Sequence, residues 1–259
     1  MVFYFTATGN CLYVARELDK EIVSISHEPL GKTYASETIG VVCPIFGHEV
    51  PPHIKEFLQA ATFDTKYFYM VLTYGFCQGG ATVRIKEFMD RQGKRLDYVN
   101  VLKMVDNALP AFDIEEELRI DPEKKVEEHL AAIKKDIAKQ RQFITQPTAW
   151  DLEYHEMFLR APFKLDPEAD FRAKGKEMYR ITDACVGCGV CSKVCPRECI
   201  QLENKKARQN MARCVACLAC IHACPKRAIQ FTFPEKNPNA RYRNPHVSVK
   251  DIIEANCQF

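Results

Sequence analysis

Short apolar runs alternate with helix-period segments along the first half of the chain. Val2-Phe3-Tyr4-Phe5 reads as a buried strand, and residues 12–18 carry the spacing of an amphipathic helix. The pattern then repeats. Residues 37–43 form a second apolar strand, followed by a helix near 53–61. A third strand covers 66–72 and a helix covers 81–92, and a further strand over 98–104 completes the sheet. Strands that alternate with helices imply a parallel sheet with helices on both faces, a doubly wound α/β fold. A charged amphipathic helix is expected over 122–143, where Val126, Leu130, Ile133 and Ile137 share one face. Residues 145–176 lose clear periodicity and contain Pro147, Pro162 and Pro167, which reads as a linker with short helices.

The second half has a different organisation. Cys185-x2-Cys188-x2-Cys191-x3-Cys195-Pro196 is followed by Cys214-x2-Cys217-x2-Cys220-x3-Cys224-Pro225, a repeat with a constant offset of 29. The duplication continues past the cysteines, since Ile200-Gln201-Leu202 aligns with Ile229-Gln230-Phe231. Each half is too short to bury a core alone, so the two should pack as one pseudo-symmetric α+β module. The spacing is that of an iron–sulfur run. Structural zinc favours separated C-x2-C pairs instead. The module is similar to the bacterial two-[4Fe–4S] ferredoxins, in which the last cysteine of each run serves the other cluster. That resemblance implies one cluster on Cys185, Cys188, Cys191 and Cys224, and a second on Cys195, Cys214, Cys217 and Cys220. The repeat places Cys199 opposite Ala228, so it is expected as a small buried residue beside a cluster.

At the first strand end, Thr6-Ala7-Thr8-Gly9-Asn10-Cys11 joins strand to helix. Turn amides, hydroxyls and a helix N-terminus suit an anion. The loop is neither a Walker A sequence nor the Gly-x-Gly-x-x-Gly fingerprint. It resembles the flavodoxin phosphate loop, with Thr6, Thr8, Gly9 and Asn10 matching and Cys11 standing where a third hydroxyl residue is usual. The flavodoxin-like reading implies FMN at the carboxyl edge of the sheet. Pro44, Ile45, Phe46, Gly47 and His48 would then line one side of the isoalloxazine, with Phe46 as the stacking candidate. Thr73, Tyr74, Gly75, Gly79 and Gly80 would line the other.

Composition changes the picture in three places. Thirteen cysteines, of which the remaining Cys11, Cys43, Cys77, Cys199 and Cys257 are scattered, suit a reducing cytoplasm and an anaerobic host. No apolar stretch approaches the ~18 residues of a membrane span, and no aromatic-interleaved basic patch points to nucleic acid. Charge is uneven: from Tyr179 onward 13 Lys/Arg face 6 Asp/Glu, a net +7, against −5 before it. This suits either a solvated basic tail that balances cluster charge or electrostatic docking of the cysteine module on the acidic domain or an acidic partner, within one chain or across a homodimer.

The whole order resembles the flavodoxin–ferredoxin fusion proteins of anaerobes. The expected divisions are a flavodoxin-like domain over 1–144, a linker over 145–177, a ferredoxin domain over 178–233 and a tail over 234–259 with a short helix at 249–255. The expected function is electron transfer, with the two [4Fe–4S] clusters and FMN converting between one- and two-electron steps and serving a redox partner protein. The alternative is a ferredoxin-linked FMN reductase acting on a small organic acceptor such as a quinone, an enone or a nitro compound. No catalytic residue is identified.

Overall fold

Continuous apolar runs become strands buried on both faces, as parallel sheets require. In the computed structural model, which describes residues 1–160 and 178–257, these are β1 (Val2–Tyr4), β2 (Ile22–Ser24), β3 (Thr38–Pro44), β4 (Tyr67–Tyr74), β5 (Tyr98–Lys103) and β6 (Phe143–Ile144). They form one six-stranded sheet in the order β2-β1-β3-β4-β5-β6, with every neighbouring pair parallel. The first five strands have the flavodoxin-like order 2-1-3-4-5. The connecting helices are α1 (Asn10–Leu18), α2 (Pro52–Ala60), α3 (Ala81–Arg91) and α4 (Val126–Ala138).

Alternate strand residues feed two cores. Tyr4, Val42, Tyr69 and Val71 pack with Leu12 of α1 and with Leu130 and Ile133 of α4 on one face. Phe3, Phe5, Val41, Met70 and Leu72 pack with Phe57 of α2 and Ile85 of α3 on the other.

Several elements differ from the sequence expectation. The sheet does not end at 98–104, because β6 pairs beside β5 through Tyr98↔Phe143 and Val99↔Ile144. With two residues, β6 is too short to show a period. The expected helix over 122–143 is α4 alone. It is preceded by a separate helix, Ile114–Arg119, whose start is capped by the Asp113 carboxylate accepting from the Glu115 N–H. Lys125 adopts a left-handed φ of 48° and separates α4 from the turn before it. A small parallel pair, Thr33–Ala35 with Thr62–Asp64, lies outside the main sheet.

The cysteine module folds as two antiparallel pairs: β7 (Tyr179–Ile181) with β10 (Ile229–Phe231), and β8 (Ile200–Glu203) with β9 (Lys206–Gln209). Its attachment to the sheet domain is apolar rather than electrostatic. Val194 and Ala219 are members of the first core, and Val215 and Cys217 pack against the second. Charge imbalance therefore does not explain the docking; shared burial does.

The C-terminal segment clamps both parts. Val247 and helix α6 (Val249–Asn256) join the first core through Ile252 and Ala255. Asn256, fully buried, donates from Nδ2 to the carbonyls of Thr6 (3.0 Å) and Val194 (3.1 Å), one from each module. Asn256→Ala leaves two buried carbonyls without a donor and should cost about 1–3 kcal/mol. The expected outcome is a lower Tm in calorimetry; an unchanged Tm refutes this account of the clamp.

The linker region contains α5 (Ala149–Arg160), and residues 161–177 of the expected linker lie outside the described residues. Trp150, the sole tryptophan, packs on Phe76 at 5.3 Å and stacks on Tyr154. His155 meets His48 with the two Nδ1 atoms 3.2 Å apart. One nitrogen must donate and the other accept, which requires at least one neutral ring. Burial pushes His48 down to about 4, with His155 and Arg84 adding to the effect, and loss of hydration lowers His155 as well. A histidine with a depressed folded pKa stabilises the fold fully above its unfolded value near 6.5 and loses that contribution as pH falls toward the folded value. Acidification from pH 7 to 4.5 should therefore loosen α5 and red-shift Trp150 emission. The shift should vanish in the His48→Asn/His155→Asn double variant; equal shifts in both proteins would refute the assignment.

Candidate functional site

The duplicated run folds into two cavities with crossed ligand sets. Cys185, Cys188 and Cys191 line one together with Cys224. Cys195 lines the other together with Cys214, Cys217 and Cys220. The crossing follows from the two halves packing as a pair. No three His, Cys, Asp or Glu side chains among the described residues converge as they would on a single ion. The cysteines line the two cavities.

Left-handed residues make the cysteine loops turn. Gly187 and Gly189 have φ of 69° and 77°, and their repeat partners Ala216 and Leu218 have 52° and 62°. The second pair bears a Cβ in this region, at a cost of ~1–2 kcal/mol each. Gly187 has no such latitude, because a Cβ there would lie 2.2 Å from the Lys205 carbonyl oxygen. The turns aim backbone N–H groups at sulfur. Cys199 N donates to Cys195 Sγ and Ala228 N to Cys224 Sγ, both at 3.2 Å, at equivalent places in the repeat. Ala207 N lies 3.5 Å from Cys185 Sγ and Ala216 N lies 3.4 Å from Cys214 Sγ. Such amides favour the thiolate, the form that binds iron. Without a cation, crowding works the other way. Burial and then neighbouring Cys224 raise Cys191 to about 11, and burial and then Cys195 raise Cys217 to about 12. Both sites are therefore built to compensate negative charge with positive charge at their centre, and they fit iron–sulfur clusters.

The two sites differ in depth. Cys188 is exposed and Val186 beside it is 60% exposed, so the first site is the outer one. Cys217 packs against both sheet-domain cores, so the second site is the inner one, at the carboxyl edge of the sheet. Cys199 is 3% exposed and lines the inner cavity as a fifth cysteine.

The sequence-predicted loops gather at the same edge. Thr6, Thr8, Asn10 and Cys11 are all buried. Thr6 Oγ1 accepts from Gly9 N at 3.1 Å, and Thr8 Oγ1 accepts from Asn107 Nδ2 at 2.9 Å. Both hydroxyl protons remain available to an anion. Gly9 has φ of 103° and no side chain caps α1, which leaves its first-turn amides for the same purpose. Asn10 is turned away from that role: its Oδ1 accepts from Tyr242 Oη (2.7 Å) and Asn244 Nδ2 (3.1 Å). Cys11 Sγ lies 3.1 Å from Thr73 Oγ1, and burial holds its thiol up at about 12, so it acts as a packed neutral group.

The next two loops close on each other. Ile45 N donates to Thr73 O at 2.8 Å, beyond Pro44 at the end of β3. Phe46 packs edge-on to Phe5 and exchanges two backbone hydrogen bonds with Glu49. Gly47 and His48 complete this turn with φ of 53° and 68°. A Cβ on Gly79 would lie 2.4 Å from that of His48, and Gly80 lies against Arg84 and Leu152. Tyr74 ends β4, and Gly75 sits under Asp106. Dehydration raises the Asp106 carboxyl to about 6, although it accepts from the Ala108 and Phe76 amides.

Sequence reasoning did not single out Asp106, Asn107, Tyr242, Asn244 or Asn256, nor Trp150, Tyr154 and His155 of α5. None stands in a motif, and each reaches the site only through tertiary contact. Tyr179 is also new. It lines the inner cavity at 5% exposure, and its hydroxyl has no hydrogen-bond partner among the described residues.

Comparison with known proteins agrees with the cysteine chemistry. Residues 177–225 match the family model of the 4Fe-4S dicluster domain. No curated protein matches the chain. Two solved chains match. One is the crystal structure of a candidate flavoprotein from Bacteroides uniformis, with 17% identity over 46% of this chain and 94% of that one and a TM-score of 0.33, a likeness too slight to bear on function. Residues 177–225 thus have the pattern of a 4Fe-4S dicluster domain, and the sheet before them has the strand order of flavodoxin-like α/β folds.

Proposed function

We propose that this protein transfers electrons between two [4Fe–4S] clusters, an FMN at the carboxyl edge of its sheet, and an external redox partner. The observation that carries the reading is the packing of Cys217, one of the inner cysteines, against both cores of the sheet domain. FMN, when bound, supplies the step between one- and two-electron chemistry. The chain's residues supply the rest. Thr6, Thr8 and the first-turn amides of α1 hold the phosphate. Ile45 and Phe46 on one side and Tyr74 and Gly75 on the other bound the ring. α5 covers the 48 and 76–80 loops and limits water. Electrons enter at the outer cluster, where Cys188 and Val186 meet solvent among Lys205, Lys206 and Lys226.

The domain limits follow the same reading: a flavodoxin-like domain over 1–144 and a dicluster domain over 178–233. The 234–259 segment acts as a clamp between them.

A second reading rests on Asp106. A carboxyl raised to about 6 beside the 74–76 turn can hold and release a proton near neutral pH, as reduction of a quinone, an enone or a nitro compound would need. Mixing reduced protein with such acceptors, without a partner protein, separates the two. Turnover that falls in Asp106→Asn favours the reductase.

Anaerobic reconstitution should give iron and acid-labile sulfide approaching eight each per chain. Cys195→Ala and Cys224→Ala should each impair a different cluster, while Cys199→Ala keeps both. Stoichiometric zinc without sulfide would overturn the assignment.

Released flavin should be FMN by chromatography, and FAD would contradict the phosphate-loop reading. Thr8→Ala should weaken FMN binding by about 1–3 kcal/mol. Because the modules share a core, cluster-to-flavin transfer should be independent of protein concentration and nearly insensitive to salt. A rate proportional to concentration would mean that the modules exchange electrons only between molecules.

A further inference from the structure

The two halves of the cysteine module are alike in backbone and differ in one donor. In the inner half, Tyr179 of β7 stands opposite Phe231 of β10 in the antiparallel register. In the outer half, the corresponding pair is Ala207 of β9 opposite Leu202 of β8. Leu202 and Phe231 are equivalent in the 29-residue repeat, so Ala207 and Tyr179 occupy matching places over the two cavities. Each lines its own: Ala207 the outer, Tyr179 the inner. Ala207 offers its backbone N–H to Cys185 Sγ and nothing more. Tyr179 offers a hydroxyl.

That hydroxyl is buried and has no hydrogen-bond partner among the described residues. A buried O–H left unmade carries its full desolvation penalty, so an unpartnered one points to a group that completes it. The ring is held by Phe231 at 5.2 Å between centroids, which limits where the hydroxyl can turn. Cys214, Cys217 and Cys220 line the same cavity as Tyr179. We infer that the Tyr179 hydroxyl donates a hydrogen bond to a sulfur of the inner cluster, a bond the outer cluster lacks. This rests on the proposed occupancy of the inner site by a cluster. A donor to cluster sulfur stabilises the reduced, more negative core and raises its reduction potential. Tyr179 is thus a tuning residue that makes the inner cluster a better electron acceptor than it would otherwise be. It biases flow from the outer site toward the sheet edge.

Potentiometric titration of the reconstituted holoprotein, read by electron paramagnetic resonance, tests this. In Tyr179→Phe one cluster midpoint should move to lower potential while the other stays, with iron and sulfide content unchanged. Two unshifted midpoints at full cluster content would overturn the proposal. If Tyr179→Phe fails to hold its cluster, the wild-type protein still decides. After exchange into deuterated water, pulsed electron–nuclear resonance should detect one more strongly coupled deuteron at the inner cluster than backbone amides account for, and its absence would also overturn the proposal. Absence of any cluster in the wild type would instead refute the underlying functional reading.

Discussion

Cys217 belongs to the burial of two bodies at once. It must present a thiolate to a cluster cavity, and its flank must exclude water from the cores of the sheet domain. Nearly every unusual feature follows from that double duty. A charged group at an apolar interface is expensive unless its charge is compensated locally. The cysteine loops therefore turn through left-handed residues, even non-glycine ones, to bring amide N–H groups onto sulfur. The interface is closed with apolar side chains such as Val194, Val215 and Ala219. A shared apolar core cannot dissociate transiently, so the two modules behave as one body in spite of their opposite net charges.

The C-terminal segment serves the same constraint from the other side. Tyr242 and Asn244 hold the Asn10 side chain, Asn244 N donates to Thr8 O, and Asn256 bridges Thr6 to Val194. The 6–11 loop is thereby fixed in shape by the protein's own contacts, which would lower the ordering cost of any binding there. Gly9 is required at its place twice over. Its φ is 103°, and a Cβ would press within 2.9 Å of Val247 Cβ. His222 completes the frame by joining Asn107 O and Tyr242 N across its two ring nitrogens. This fixes the tautomer, with Nδ1 accepting and Nε2 donating.

Duplication explains the architecture and its asymmetry together. A repeated unit folds twice in the same way, so cavity, turn and amide pattern recur at an offset of 29. Docking then breaks the equivalence. One cavity is pressed against a neighbouring domain and the other faces solvent, and environment tunes a cluster as strongly as ligation does.

The cysteine spacing and the apolar strand runs were legible in the sequence because both are local signals. Covalent spacing sets which thiolates can share a loop, and a run such as residues 67–74 cannot be soluble except as a buried strand. The Thr6–Asn10 turn was legible for the same reason, as a fixed order of hydroxyls and glycine between strand and helix. The strands β2 and β6, three and two residues long, were not, because they are too short to display a period and exist only by pairing with β1 and β5. Net charge misled about docking, since charge counts carry no information on which surface meets which. The roles of Asn256, Tyr242, Tyr179 and His155 depend on contacts as many as 250 positions apart in the chain. No local pattern encodes such contacts, so packing alone decided which of the two equivalent cavities lies inside and what closes over the edge of the sheet.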